Sequence, residues 1–175
     1  MRRNEREIHD PQLVAALLCQ AEYIHLGLWD GTSPYVVPVN FGYHDGAVYF
    51  HCAPEGKKID CLRRCDRVGF TAVLHYDLVR AVKPCNYTAH YKSVMGQGRA
   101  VFLEDPAEKV AGLNTIMRYY RGPEVAVSET ALARMEVIRI DVTTLTGKAN
   151  PPWQGDELAE VVQDTGSGEF YSTAD

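Results

Sequence analysis

Residues 49–64 read Y-F-H-C-A-P-E-G-K-K-I-D-C-L-R-R. A β-type run ends at Cys52, turn-forming residues follow, and a helical pattern opens at Lys57. A strand-to-helix junction presents unpaired backbone N–H groups at the positive end of the helix dipole, where anions bind. Two lysines in this first turn oppose the usual preference for acidic residues, so a bound phosphate would compensate them. The alternative is an ordinary solvated helix start, because the stretch is neither a Walker loop nor a G-x-G-x-x-G fingerprint.

The composition is that of one globular domain, with 175 residues, 46% of them hydrophobic and 23% charged. A net charge of −5 argues against a general nucleic-acid binder. The charged amino terminus is not followed by an apolar segment of the kind found in signal peptides, and no apolar run is long enough to span a bilayer. We therefore expect a cytoplasmic protein that binds neither nucleic acid nor membrane.

The cysteines are odd in number and contain no C-x-x-C pair, so neither a disulfide framework nor a zinc knuckle is indicated. Cys61 and Cys65 lie four residues apart on the predicted helix. They could form half of a metal site, but we favour a reduced, partly buried pair and expect no metal. The five cysteines are Cys19, Cys52, Cys61, Cys65 and Cys85.

Hydrophobic periodicity predicts a mainly β chain with helices between some strands. The strands before residue 53 are joined by tight turns, which implies an antiparallel meander, and residues 75–90 are a loop or an irregular strand pair. Such a pattern favours a small antiparallel β-barrel with peripheral helices. Strands are predicted over 23–29, 34–43, 47–52, 67–74, 91–103 and 136–146, and helices over 11–20, 57–64, 107–120 and, more weakly, 125–135.

Three residues within predicted strands carry further information. Pro38 cannot donate to a strand ladder, so it belongs at a bulge or an edge. It would leave backbone groups of its neighbours free for a planar, amide-like ligand, although a plain edge strand explains it equally. Gly96 and Gly98 share one face of their strand, which permits either a bend in a barrel wall or the close approach of another backbone.

Several short motifs match one known family in order and spacing over residues 1–148. They are R-R (2–3), E-I (7–8), P-Y-V-V-P-V-N-F-G-Y (34–43), Y-F-H (49–51), G-K-K-I-D (56–60), Y-K-S-V-M-G-Q-G-R-A (91–100), Asn114 with Ile116 and Met117, I-R-I (138–140) and T-G-K (146–148). The sequence resembles the FMN-binding split-barrel family related to pyridoxamine 5′-phosphate oxidase, and most of all its nitroimidazole-resistance branch.

The resemblance implies a six-stranded antiparallel split β-barrel over residues 1–150, with a partly mobile extension over 151–175. It also implies a homodimer with FMN at the subunit interface. Five groups of residues would contact the cofactor. Val37, Pro38, Val39 and Asn40 would flank the flavin ring, His51, Cys52 and Ala53 would line its ribityl side, Gly56, Lys57 and Lys58 would hold the phosphate, Ser93 and Val94 would approach from a later strand, and Trp153 would cover the ring.

Two function classes follow from this resemblance. The first is an FMN-dependent oxidoreductase that passes electrons from NADH or NADPH to a small organic acceptor such as a nitroaromatic. The second is a non-catalytic flavin- or haem-binding protein or redox sensor, with His51 as the haem ligand. A barrel that has lost its ligand, and pyridoxamine phosphate oxidation itself, are less favoured. No proton donor is assigned, since Tyr91, His51 and His90 are candidates by residue type only.

Overall fold

The structure, a computed structural model, describes residues 3–153 as a mainly β chain with short helices. Short 3-10 turns lie at Asn4–Arg6 and Pro84–Asn86. The helices are α1 (Pro11–Leu18), α2 (Lys57–Arg64), α3 (Pro106–Tyr119) and α4 (Glu129–Leu132). The strands are β1 (Glu7–Ile8), β2 (Ile24–Trp29), β3 (Pro34–Val39), β4 (Gly42–His44), β5 (Ala47–Cys52), β6 (Arg67–Val79), β7 (Thr88–Phe102) and β8 (Glu136–Asn150).

The strands form one sheet in the order β3-β2-β6-β7-β8-β5-β4, with β1 paired to β8. The strand pairs whose registers are resolved, such as Leu26 opposite Val37 and Phe50 opposite Ile138, are antiparallel. Within the described residues the two end strands do not pair, so the sheet is open, as in a split barrel. The predicted fold class is therefore confirmed. Residues 3–153 contain eight strands where the sequence predicts six, because β1 is not predicted and the predicted strand over 34–43 divides into β3 and β4.

The predicted meander over residues 23–52 is wrong. Strands β2 and β3 form one hairpin and β4 and β5 another, and the sheet order places β3 and β4 at opposite ends. The chain leaves β3 at Asn40 because the next side chain, Phe41, is fully buried and its ring lies 4.6 Å from that of Tyr119. Gly42 then passes the backbone carbonyl of Thr115 too closely for any side chain.

Residues 75–90, for which the sequence leaves a loop and a strand pair open, are half strand. β6 continues to Val79 and β7 begins at Thr88, with a 3-10 turn at Pro84–Asn86 between them. Residues 75–78 are all exposed, so no buried-exposed alternation marks them as β in the sequence. Hydrophobic periodicity therefore cannot predict how far the hairpin of β6 and β7 extends.

The described residues fall into two compact units, to both of which β6, β7 and β8 contribute. The first contains residues 3–21, 72–95 and 145–153, and the second residues 22–71 and 96–144. The boundary predicted at residue 150 stays a prediction, since all but three residues of the predicted 151–175 extension lie outside the described part. No helix in residues 3–153 combines the length and apolarity needed to cross a membrane.

In the first unit, α1 forms as the sequence predicts. The Asp10 carboxylate accepts hydrogen bonds from the backbone N–H groups of Gln12 (2.8 Å) and Leu13 (3.4 Å), and Pro11 occupies the first helical position. Leu13, Leu17 and Leu18 are buried, as their spacing indicates.

In the second unit, α3 covers β4 and β5. Its start is capped by Asp105, whose carboxylate accepts from two first-turn N–H groups. Gly112 lets the helix approach Tyr49 and Val137, since a side chain there would meet both. The core beneath α3 consists of Leu103, Leu113, Ile116, Leu132 and Val137.

The two glycines of β7 mark close approaches rather than an open bend. Both are buried, on the same face as predicted. A side chain at Gly96 would overlap the Phe70 ring, and one at Gly98 would overlap the carbonyl of Asp141. Close packing of a ring and of a neighbouring strand therefore accounts for both glycines.

We expect Gly96→Ala to destabilise the protein by about 1–3 kcal/mol, because the new methyl group overpacks against Phe70. The matched control is Gly69→Ala, where the nearest atom would lie at an ordinary 3.8 Å. Chemical denaturation measures both, and adding Phe70→Leu should recover part of the loss in the first variant. Equal stability of the two single variants would contradict the packing argument.

Candidate functional site

The start of α2 exposes backbone donors that no side chain caps. Gly56 precedes the helix with φ +111°, a conformation that favours glycine, and open space surrounds the position where its side chain would be. The helix forms because Ile59, Cys61 and Leu62 share a buried face. Unlike α1 and α3, it has no side-chain cap, so its first-turn N–H groups are left for solvent or a ligand.

The Lys57 amine pairs with Asp30. The two side chains meet at 3.1 Å (Nζ to Oδ2), and the same amine lies 4.9 Å from the centre of the Tyr35 ring. The Lys57 side chain is still 57% exposed. One of the two lysines that sequence placed at a phosphate site is therefore held against the turn between β2 and β3.

Asp30 is the most heavily bonded carboxylate of this region. Its Oδ1 accepts from the backbone N–H groups of Thr32 (2.9 Å) and Ser33 (2.7 Å) and from the Thr32 hydroxyl (2.8 Å), and its Oδ2 accepts from the Ser33 hydroxyl (3.0 Å). Hydrogen bonds from the Ser33 and Thr32 backbone, the Thr32 hydroxyl and Lys57 hold the pKa of Asp30 well below its usual range. The carboxylate therefore stays charged in the folded protein far into acid.

The other end of α2 contacts the same turn. Arg64 packs its guanidinium and stem on Gly31, where a side chain would overlap them. Gly31 also has φ +102°, so it is required both by the turn and by this contact. Lys57 and Arg64 together hold α2 against the turn of residues 30–33.

The second lysine, Lys58, is half-buried beside β5. Its amine lies 5.6 Å from the centre of the Phe50 ring. Burial raises the pKa of the neighbouring Cys52 thiol, an effect that the Lys58 charge opposes and the Glu136 charge reinforces. Cys52 is consequently a neutral thiol at pH 7 rather than an activated nucleophile.

The residues predicted to flank the ring lie on β3, an end strand of the sheet. Pro38 is exposed there, opposite His25 of β2, which confirms the edge position required by its missing N–H. Asn40 is exposed, Val37 half-buried and Val39 buried. At the end of β5, His51 and Ala53 are exposed and Cys52 is half-buried.

Three predicted residues belong to the first unit. Ser93 is half-buried, whereas the Val94 side chain is fully buried. Trp153 lies under the Lys92 amine, 4.0 Å from the ring centre. Its indole N–H is buried without a hydrogen-bond partner among the described residues, so it could donate to a bound ligand.

A groove of about 550 Å³ lies elsewhere in the second unit, and none of the predicted site residues lines it. Its walls are polar, with two arginines, and the Arg99 guanidinium pairs with Asp66 at 2.7 Å. The groove therefore gives no support to the predicted site. It is lined by Arg67, Val68, Gly69, Gln97, Gly98, Arg99 and Thr143.

Sequence reasoning missed Asp30 and Lys92. Residues 30–33 lie in one of the tight turns that the sequence predicts before residue 53, and an aspartate at such a position commonly accepts from the next backbone N–H groups. Its bond to Lys57 joins residues 27 positions apart, and no spacing rule reveals such a contact. Nothing in the sequence around Lys92 indicates its contact with Trp153, because Trp153 follows β8, far along the chain.

Comparison with known proteins agrees with the open, antiparallel sheet of a split-barrel protein. Residues 10–149 match the family described as pyridoxamine 5′-phosphate oxidase. This match covers most of the chain, which therefore belongs to the pyridoxamine 5′-phosphate oxidase family. No curated protein sequence matches the chain.

Among solved structures, a candidate 5-nitroimidazole antibiotic resistance protein from Bacteroides thetaiotaomicron is similar at 36% identity and a TM-score of 0.74, covering 81% of this chain and 85% of that one. A flavocytochrome from Azotobacter vinelandii is 23% identical with a TM-score of 0.75, covering 91% and 77%. An FAD- and haem-binding protein from Mycobacterium smegmatis is 14% identical with a TM-score of 0.76, covering 91% and 80%. The first supports the predicted branch, and the other two show the shared fold.

We expect Asp30→Asn to be less stable than the wild type at pH 7, with a gap that narrows in acid. The folded pKa of Asp30 is depressed, so its contribution is complete above the unfolded pKa of about 3.9 and is lost as the pH falls towards the folded pKa. Denaturation midpoints measured from pH 7 down to pH values below about 3 test this. A gap that stays constant through this range would contradict it.

Proposed function

We propose that this protein is an FMN-binding oxidoreductase that passes electrons from NADH or NADPH to a small organic acceptor, with nitroaromatics as the acceptor class. The observation that carries the proposal is the uncapped, lysine-bearing start of α2 in a chain of this family. The likeness to a candidate nitroimidazole resistance protein supports the choice of acceptor.

The phosphate of FMN is assigned to Gly56, Lys57 and Lys58. Open space at Gly56, the free first-turn N–H groups and two lysine amines fit a dianion better than a neutral group. Lys57 already gives one of its donors to Asp30, and an ammonium has three, so it retains donors for a phosphate.

In the remaining assignments, the flavin ring would lie along the end of β3 and the ribityl chain along the end of β5. Val37, Pro38, Val39 and Asn40 would offer the backbone of an end strand to the ring, while His51, Cys52 and Ala53 would line the ribityl chain. The exposed Pro38 and Asn40 leave the end of β3 accessible. In the first unit, Ser93 and Val94 would approach the flavin from β7. The Trp153 N–H, which has no hydrogen-bond partner among the described residues, would be a suitable donor to it.

When bound, a flavin supplies the redox chemistry of such an enzyme. Gly56, Lys57 and Lys58 would bind its phosphate, and Val37, Pro38, Val39 and Asn40 would orient its ring. The neutral Cys52 thiol would take no part as a nucleophile. The proposed assembly is a homodimer with the cofactor at the interface, acting on a small molecule in the cytoplasm without nucleic acid or membrane.

A second candidate is a flavin- or haem-binding protein that does not turn over. The exposed imidazole of His51 at the end of β5 favours it, since a haem ligand must be accessible. This candidate differs from the first in its spectrum and in its kinetics.

We expect the purified protein to show a two-band flavin spectrum and to release FMN on heating. NADH or NADPH should then be oxidised continuously when a nitroaromatic is present. Single-turnover reduction alone would support the non-catalytic candidate, and a Soret band lost in His51→Ala would support haem. A colourless protein that also ignores added FMN would contradict flavin binding altogether.

Replacing both lysines, in Lys57→Met/Lys58→Met, should weaken FMN binding by at least about tenfold, since each charge-assisted hydrogen bond contributes about 1.5–3 kcal/mol. Riboflavin, which lacks the phosphate, should bind wild type and variant alike. Fluorescence quenching of each flavin measures the dissociation constants. Lys83→Met, at an exposed lysine before the 3-10 turn, is the matched control. Unchanged FMN affinity in the double variant would refute the phosphate assignment.

A further inference from the structure

The bonds of the Asp30 carboxylate exceed the needs of a hairpin turn. Four hydrogen bonds from Thr32 and Ser33 close the turn, all between 2.7 and 3.0 Å. The fifth partner, the Lys57 amine, belongs to another element and contributes nothing to the turn itself. This fifth contact therefore needs a separate explanation.

Lys57 is confined although it is exposed. A free lysine side chain samples many rotamers, and fixing it on a ligand costs binding free energy. Here the amine is held between the Asp30 carboxylate at 3.1 Å and the Tyr35 ring at 4.9 Å. The Arg64 contact with Gly31 holds the far end of α2 to the same turn. Both contacts favour one position of the amine, at the uncapped helix start.

A carboxylate beside a cation can position it for an anion or compete with that anion. Competition requires Lys57 to leave Asp30 when the ligand arrives. Two donors of the amine remain unused by Asp30, and the side chain is more than half exposed, so an anion can bind without breaking the pair. The geometry is therefore that of a positioning contact.

We propose that Asp30 is a positioning residue for the flavin phosphate, holding the Lys57 amine at the start of α2 before the cofactor binds. The inference rests on the proposed function, since it assumes that this helix start binds the phosphate of FMN. Asp30 does not touch the cofactor and acts through Lys57 alone.

The test compares FMN and riboflavin affinities of the full chain in four proteins: wild type, Asp30→Asn, Lys57→Met and the double variant. We expect Asp30→Asn to bind FMN about threefold to tenfold more weakly, the cost of ordering one long side chain, and riboflavin unchanged. In the double variant the FMN affinity should equal that of Lys57→Met, because Asp30 has nothing left to position.

The variant Ser33→Ala distinguishes positioning from a merely structural role of Asp30 in the turn. It removes one turn hydrogen bond and keeps the pair with Lys57, so the positioning role predicts unchanged FMN affinity, whereas a merely structural role predicts weaker FMN binding. If Asp30→Asn does not fold, Asp30→Ser replaces it, since serine can close a similar turn without the charge. Equal weakening of FMN and riboflavin, or additive losses in the double variant, would overturn the proposal.

The failures are distinguishable. If wild type binds no FMN, the proposed function falls and this inference falls with it. If FMN binds but Lys57→Met has no effect, the phosphate assignment and this inference both fail, while flavin binding survives. If Lys57→Met weakens FMN binding and Asp30→Asn does not, or strengthens it, only the positioning role is refuted.

Discussion

The carboxylate of Asp30 connects two elements that local sequence treats as independent. It closes the turn between β2 and β3, and through Lys57 it fixes the start of α2. Arg64 adds a contact from the far end of the same helix to Gly31. The buried face of α2 and the ion pair between Arg63 and Glu136 also hold the helix, but only Lys57 connects its first turn to the β2–β3 turn. The proposed phosphate site depends on this connection.

The break after β3 is the second constraint, because it decides which strands form the ends of the sheet. The Phe41 side chain is fully buried, and its backbone N–H donates a hydrogen bond to the Tyr120 hydroxyl at 3.3 Å. The same hydroxyl donates to the Glu22 carbonyl at 2.6 Å. These contacts draw the chain away from β3 towards α3. As a result β3 pairs with β2 alone within residues 3–153, and the residues assigned to the flavin ring lie on this end strand.

The sequence predicts elements well and long-range partners poorly. The predicted bounds of α1, α2 and α3 agree with the structure within two residues, because the caps of α1 and α3 and the buried faces of all three helices are local features. The open antiparallel class follows from hairpin spacing and from the family resemblance. The order of β3 and β4 could not be predicted, since it depends on where Phe41 is buried. The local strand–turn–helix pattern with its two lysines predicts the candidate residues at the start of α2, but it does not predict that Asp30 pairs with one of them. That pairing arises only when a turn and a helix meet in space.

The end strand β3 also bears on how the protein behaves at high concentration. Strands with a free side can pair with other chains and start aggregation, and Val36 at 61% exposure would encourage it. Pro34 and Pro38 lie in the same six-residue strand, and each lacks the N–H that an added strand would need. The prolines thus protect an edge that the proposed cofactor site requires to be open. The two prolines of β3 therefore oppose pairing with another chain and still leave the strand accessible to a ligand.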